Sequence, residues 1–470
     1  MPRPKSSPTY CIHARSQRAY TTVDGRQIQL GAANSPESRD VFDRVLAEWY
    51  ANGRKLPQAS SAAKGAPRVG PTVAMLLERF WTHAVTYYRQ PALDGNGMPM
   101  VDADGSQIMV PGTELDNYRQ IIRITRRLYG DIQASNFACP ELEAVRGVMI
   151  RAKIDPETGE RSMGWTRVST NRQIGRLKHI FAWGVTKGLV PVTVHQTLCL
   201  LPGLRAGKTA AAESSKVRPV AEARALAILP HIAPPVAAMV RVQLLTGMRS
   251  TEVCIMRPCD IDRTVTPWVY TPRFHKTQHH GIERKIPIGK QAREVLVPFL
   301  EREQDAYCFS PQEGNADRQR RRREARKTKV QPSQIRRAEE AKRQKRKIVT
   351  RDRYNKSSYY LAVRYGCEKA FGMPAEYRTT QADRTLPTDS PEVAADKKKT
   401  RLAKWALRAK WHKQNAWHPH QARHRAATDL RKAGSLDVAK VVLGHTSIKM
   451  TQLYAEADVA AAHEVIERIG

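Results

Sequence analysis

Two short clusters near the C-terminus hold side chains suited to phosphoryl chemistry: HPHQARHRAAT at 418–428 and LGHTSIKMTQLY at 443–454. The first sets His420 three residues before Arg423, and the second sets His445 nine residues before Tyr454. A third string, LLTGMRSTEV at 244–253, adds Arg249 with Glu252 three residues on. Planar guanidinium forks bond two oxygens of a phosphate at once and never lose their charge. A phenol has an ordinary pKa of about 10, so it attacks phosphorus at neutral pH only with help. Preorganised donors of this kind are each worth roughly 10²–10³ in rate. A departing alkoxide also needs a proton, and a lysine on a hairpin tip is suited to give it. Arginines that hold the charge make a metal unnecessary. No paired carboxylates accompany the motifs, and Glu252 stands alone among them.

The elements that must position these groups belong to a chain of 470 residues, long enough for two to three domains. Its 79 Lys+Arg against 45 Asp+Glu leave a formal charge of +34, which attracts polyanions but says nothing about fold. DNA or RNA leads as partner. An anionic membrane ranks second, because no segment reaches about 18 uninterrupted apolar residues. The N-terminal MPRPKSSPTYCIHARSQ has no apolar core of the kind a signal peptide carries. Seven cysteines lie at 11, 139, 199, 254, 259, 308 and 367 with no C-x-x-C pair, which reads as reduced, mostly buried thiols. His275, His279 and His280 lack a cysteine or a second histidine pair for zinc.

Along the chain, residues 1–50 read as a small β-rich region, either a decorative subdomain or an arm-type DNA-binding sheet with Arg15, Arg18 and Arg26 on phosphates. Its strands are at Tyr10–His13, Arg18–Val23 and Gln27–Leu30, with a turn at Asp24-Gly25. A helix over Ser35–Tyr50 follows, then an Ala/Ser/Gly/Lys linker at 51–70. Residues 71–201 read as a helical domain. Pro71 opens its first helix, Thr113 caps the second, a third follows Pro140, and a fourth runs from Ser169 to about Lys187. The last presents Arg172, Arg176 and Lys178 on one face, candidates for phosphate contact. The loop at 91–112 lacks the later ligands and closing Glu of a calcium site, so turn chemistry accounts for its DGNG and DADG. Residues 202–219 read as an exposed linker and 220–470 as a second compact domain. That domain opens with helices at 220–230 and 234–246, followed by strands at Pro267–Tyr270 and Arg284–Ile288. A basic insertion at about 311–350 carries fifteen Lys/Arg against three Glu from Arg318 to Lys347, with no aromatics for a core. It reads as a solvated helix or as disordered. A packed helix is expected over Tyr359–Phe371 and a loop at about 375–400.

Taken together, these motifs resemble those of the tyrosine recombinase (phage integrase) family, over about 220–460. The resemblance implies a mainly α fold with small β-sheets: a helical core-binding domain that clamps DNA, then a mixed α/β catalytic domain. It matches Arg249 to the first catalytic arginine and Glu252 to its supporting acid. It matches His420 and Arg423 to the H-x-x-R box, His445 to the second histidine and Tyr454 to the nucleophile. Lys276 in HKTQHHGIERKIPIG matches the hairpin lysine, in preference to Lys285 on the same hairpin. Two departures stand out: Ala422 replaces the usual leucine before the second arginine, and the basic insertion is long for the family.

The implied activity is site-specific DNA recombination or integration through a 3′-phosphotyrosyl intermediate, without metal, ATP or other cofactor. The alternatives are a type IB topoisomerase-like DNA relaxing enzyme and a non-catalytic DNA-binding protein of a decayed mobile element. The resemblance implies double-stranded DNA with specific sites as partner and a homotetramer on it. A short apolar stripe, Val459, Ala462, Ile466 and Ile469, either packs on its own domain or, the preferred reading, docks on a neighbouring protomer by exchange of the C-terminal helix. A cytoplasmic, nucleoid-associated protein with no membrane partner is expected.

Overall fold

A computed structural model describes residues 7–55, 70–94, 99–151, 153–154, 161–162, 164–275, 278, 281, 283–343 and 351–444. The chain divides into two compact units, one running essentially to Ser215 and the other from Lys216 onward. Both are built mainly of helices with small antiparallel sheets, as the sequence implied.

The first unit begins with strands β1 (Cys11–Ile12), β2 (Arg18–Val23) and β3 (Arg26–Ala32), paired antiparallel in that order. The β2–β3 turn places Asp24 at φ 48° and Gly25 at φ 78°, the double left-handed turn that matches the twist of a hairpin. Helix α1 (Pro36–Ala51) follows, its N-terminus capped by Ser35, whose hydroxyl accepts from the Ser38 amide at 3.1 Å. Val45 and Trp49 of α1 cover Val23 of the sheet.

Helices α2 (Val73–Tyr87), α3 (Glu114–Tyr129), α4 (Cys139–Ile150), α5 (Arg167–Thr186) and α6 (Val192–Leu200) bury one core. Leu76, Leu77, Phe80, Ile121, Leu128, Leu142, Leu177 and Phe181 are its centre. Ribbons β4 (Arg89–Pro91) with β5 (Met109–Pro111), and β6 (Lys153–Ile154) with β7 (Arg161–Ser162), decorate the connections. Two local expectations fail here. Thr72 caps α2 and Pro71 lies outside it, because the cap needs a hydroxyl to accept the Met75 amide. Thr113 precedes α3 with helical backbone angles and makes no side-chain cap, so its hydroxyl plays no part in starting that helix.

Residues beyond α6 are less free than their composition implied. Asn171 holds Leu204 through both backbone groups at 2.8 and 3.0 Å, and Arg146 donates to the Pro202 carbonyl at 2.9 Å. Thr166 and Ala212 form a parallel bridge. Composition recorded the lack of apolar residues but not these polar attachments.

The second unit starts with α7 (Glu222–Ala227) and α8 (Pro234–Thr246), then α9 (Ser250–Cys254). A sheet of β8 (Ile261–Asp262), β9 (Trp268–Tyr270) and β10 (Ile286–Ile288) has β9 at its centre. Helix α10 (Lys290–Leu296) completes this part. The insertion forms two helices, α11 (Pro311–Glu324) and α12 (Pro332–Arg343). After them come α13 (Lys356–Ala370), α14 (Pro391–Asn415), α15 (Pro419–Ala433) and α16 (Leu436–Leu443). Met239, Val240, Val253, Tyr270, Ile286, Leu296, Tyr359 and Ala422 share the core.

The loop expected to 400 ends ten residues earlier. Ser390 caps the Val393 amide, Pro391 occupies the first turn, and helix continues from there. The residues before it lie along α14 through two clips, Lys397 to Asp389 and Lys404 to Asp383, each at 2.8 Å. Polar sequence hid that helix because its support comes from ion pairs rather than an apolar stripe. Of the cysteines, Cys254, Cys308 and Cys367 are buried while Cys199 and Cys259 are exposed, so fewer are enclosed than expected. Among the described residues no helix is long and apolar enough to cross a membrane.

Candidate active site

Helix α8 ends at Gly247, whose φ of 66° is left-handed. A Cβ there would also meet Leu443 Cδ2 at 2.6 Å and Ala426 Cβ at 3.3 Å, so glycine is required twice over. Small residues on α15, Ala422, Ala426 and Ala427, are all buried and let this turn approach the helix. Ala422 is fully buried in the core of the second unit.

Two residues after the turn, Arg249 caps α9. Its amide donates to Glu252 Oε2 and its Nη1 donates to Oε1, both at 2.7 Å. Glu252 is 1% exposed, and Tyr270 donates its hydroxyl to the Glu252 carbonyl at 2.8 Å. Burial by itself would raise the Glu252 pKa. The Arg284 and Arg249 charges and the Arg249 hydrogen bonds outweigh it and hold the carboxyl below its usual range. The turn is braced from behind: Gln243 donates to the Met248 carbonyl at 3.0 Å and accepts from the Tyr359 hydroxyl at 2.9 Å.

Arg423 joins the motifs. From α15 its Nη1 donates to the Gly247 carbonyl at 2.6 Å, and its Nη2 donates to the Leu443 carbonyl at 2.7 Å. One guanidinium thus links the H-x-x-R helix, the turn before Arg249 and the last residue of α16. Arg423 is 1% exposed.

Arg284 does a similar job, although the sequence motifs do not single it out. It is 4% exposed, its Nη1 donates to the Val442 carbonyl at 2.8 Å, and its Nε lies 3.7 Å from Glu252 Oε1. Gly444 closes α16 at φ 63°, and a Cβ on it would come within 2.7 Å of Arg284 Nη1. Arg284 directly precedes Lys285 in a string that draws attention to its lysines. The one available signal was an arginine at the start of an apolar strand, beside Ile286 and Ile288.

His420 lies in the first turn of α15 and is exposed. Surrounding protein, then the neighbouring His424, His418 and Arg423, push its pKa down to about 4, so its imidazole is neutral at pH 7. Its ring meets His424 edge-on at 5.0 Å and lies parallel to His418 at 6.3 Å. His424 is buried, in keeping with a packing residue. Lys276, His445 and Tyr454 lie outside the described residues, as do His279, His280 and the stripe at 459–469.

The three basic candidates in the first unit divide. Arg172 is exposed, but Arg176 donates twice to Glu114, at 2.5 and 3.1 Å, and Lys178 donates to the Leu201 carbonyl at 2.8 Å. Two of the three already hold α5 against its neighbours.

Residues 388–460 match the phage integrase family. That stretch includes His420, Arg423, His445 and Tyr454 and excludes Arg249 and Lys276. No curated protein matches the chain. Among solved structures, the Tn1549 transposon integrase in complex with a circular intermediate DNA is 15% identical with a TM-score of 0.48, covering 85% of this chain and all of that one. A lambda integrase dimer bound to a COC′ core site is 14% identical with a TM-score of 0.46, covering 97% of each chain. A lambda integrase tetramer bound to a Holliday junction is 14% identical with a TM-score of 0.41, covering 97% of this chain and 96% of that one.

Proposed function

We propose that this chain, whose residues 388–460 match the phage integrase family, is a site-specific DNA recombinase of the tyrosine type. The observation that carries the proposal is the double hydrogen bond of Arg423 to Gly247 and Leu443. It brings the H-x-x-R helix, the turn before Arg249 and the last residue of α16 together within the unit that holds the family match.

In this reading Tyr454 attacks a scissile phosphate, forming a 3′-phosphotyrosyl bond and releasing a 5′-hydroxyl. Arg249 and Arg423 hold the non-bridging oxygens, with Arg423 uncovered as DNA binds. Glu252 fixes Arg249 from behind. His420, neutral at working pH, accepts or shares a proton at the reacting oxygens, and His445 hydrogen-bonds the same phosphate. Lys276 protonates the leaving oxygen. Rejoining runs the steps backwards on a partner strand, so the phosphodiester energy is kept and neither ATP nor metal is required.

Residues 71–201 help to clamp the duplex, with the exposed Arg172 as their candidate phosphate contact. The active assembly is a homotetramer on two duplexes, with the segment after Tyr454 exchanged between protomers, in a cytoplasmic, nucleoid-associated protein.

A nicked suicide duplex carrying the cognate site tests the proposal. It should trap a denaturant-resistant protein–DNA adduct with the chain and none with Tyr454→Phe. An adduct that persists in that variant would sink the assignment.

A further inference from the structure

The basic insertion is an excursion with a clasped base. Gln312 donates to Asp352 at 3.2 Å, and Glu313 pairs with Arg302 at 2.8 Å, so the chain leaves and re-enters the second unit at one spot. Gly314 seats the start of α11 on the core. A Cβ there would come within 2.5 Å of the Tyr354 hydroxyl and 3.3 Å of Ala233 Cβ, and α11 therefore lies close against α8. Beyond that seat every residue from Arg318 to Arg337 is exposed.

The charge on this exposed stretch is one-sided. Residues 318–329 carry Arg318, Arg320, Arg321, Arg322, Arg323, Arg326, Lys327 and Lys329, eight cations, against the single acid Glu324. Asp317 takes Arg320 at 2.6 Å and Arg321 at 2.9 Å, which leaves Arg322 and Arg323 without a carboxylate partner among the described residues. Cations in a last helical turn gain a little from the helix dipole, an effect confined to that turn. Arg326, Lys327 and Lys329 lie past it. The stretch contains no apolar side chain larger than alanine before Val330, so burial against a protein surface offers it nothing. The exposed helical part, residues 318–324, extends about 10 Å, comparable to about three phosphate spacings along one strand of a duplex.

We propose that residues 318–329 form a second DNA-binding surface, separate from the active-site motifs, which grips the phosphate backbone without reading bases. This inference rests on the recombinase reading for its partner. Guanidinium groups repeated on an exposed helix suit a continuous polyanion, whose released counterions make binding steeply salt-dependent.

The test compares the full chain with a variant carrying Arg322→Gln, Arg323→Gln, Arg326→Gln, Lys327→Gln and Lys329→Gln, and with one in which the three arginines become lysine. Binding is measured across a salt series on a short duplex covering only the cleavage site and on one extended on both sides. On the extended duplex the glutamine variant should show a log K against log salt slope shallower by about 0.9 for each phosphate it no longer neutralises. The lysine variant should keep the original slope. Covalent trapping on the short nicked duplex should be the same for all three proteins. An unchanged slope in the glutamine variant overturns the inference and leaves the recombinase reading intact. Loss of binding to phosphatidylglycerol vesicles with an unchanged DNA slope also overturns it, in favour of a membrane surface. Failure of the unaltered chain to bind DNA at all removes both.

Discussion

Two sets of arginines in the second unit show how differently one side chain can be used. Arg284 and Arg423 are 4% and 1% exposed and spend their hydrogens on backbone carbonyls at fixed distances. Arg322 and Arg323, on α11, are exposed and have no carboxylate partner among the described residues. In the buried set each guanidinium holds one piece of chain against another, so geometry matters and the loss of one group leaves polar atoms stranded. In the exposed set the groups act through their summed field, so number matters and no single member is essential. Buried arginines specify a structure; exposed ones attract a partner.

The largest effect expected from breaking this contrast is at Arg423. Arg423→Ala strands the Gly247 and Leu443 carbonyls, at about 1–3 kcal/mol each, and should lower unfolding free energy by roughly 2–5 kcal/mol in urea titration. It should also abolish adduct formation. Arg423→Lys keeps the charge but cannot reach both carbonyls at once, and should recover only part of the stability. An alanine variant as stable as the original chain would mean the guanidinium is a bystander in the fold.

Glu252→Gln comes next. It leaves Arg284 and Arg249 facing a neutral amide in a buried place, with an expected loss of about 3 kcal/mol near neutral pH. The folded carboxyl titrates below its unfolded value of 4.5. Its contribution is therefore complete above that pH and disappears as the pH falls through the depressed folded value. Stability curves of the two proteins should converge in acid; parallel curves would rule out the carboxylate as the source.

His420 gives a smaller, pH-limited effect. Its folded pKa of about 4 lies below the ordinary 6.5. The folded state thus resists protonation that the unfolded chain accepts, and stability should fall as pH drops from about 6.5 towards 4. His420→Gln should flatten that slope in melts collected across the range, with no change above pH 7. Smallest of all, the five glutamine changes in 322–329 should alter the unfolding free energy by no more than about 0.5 kcal/mol per position, the ordinary range for exposed substitutions. A larger loss would place these arginines with the structural set.

Much of the fold is legible in the sequence. Helical periodicity locates α1, α5, α8 and α13 to within a few residues, because each buries an apolar face whose spacing is visible in the chain. The Asp24-Gly25 turn is equally visible, since left-handed backbone needs those residue types. The first half of α14 is not, because its anchors, Lys397 to Asp389 and Lys404 to Asp383, leave no periodic apolar trace. Arg176 and Lys178 look like surface charges in the sequence, yet Glu114 and the Leu201 carbonyl hold them.

The sequence by itself determined the chemistry available: residue types at fixed short spacings name an arginine with its acid, a histidine and arginine one turn apart, and a glycine that ends a helix before a histidine. Tertiary structure decided which of those groups meet, since a contact between residues 176 positions apart, as in Arg423 and Gly247, is set by packing and loop closure rather than local preference. It also decided that Arg284 belongs among them. Its place at the start of an apolar strand does not by itself dictate burial; that follows only when Glu252 and the Val442 carbonyl converge on the same guanidinium.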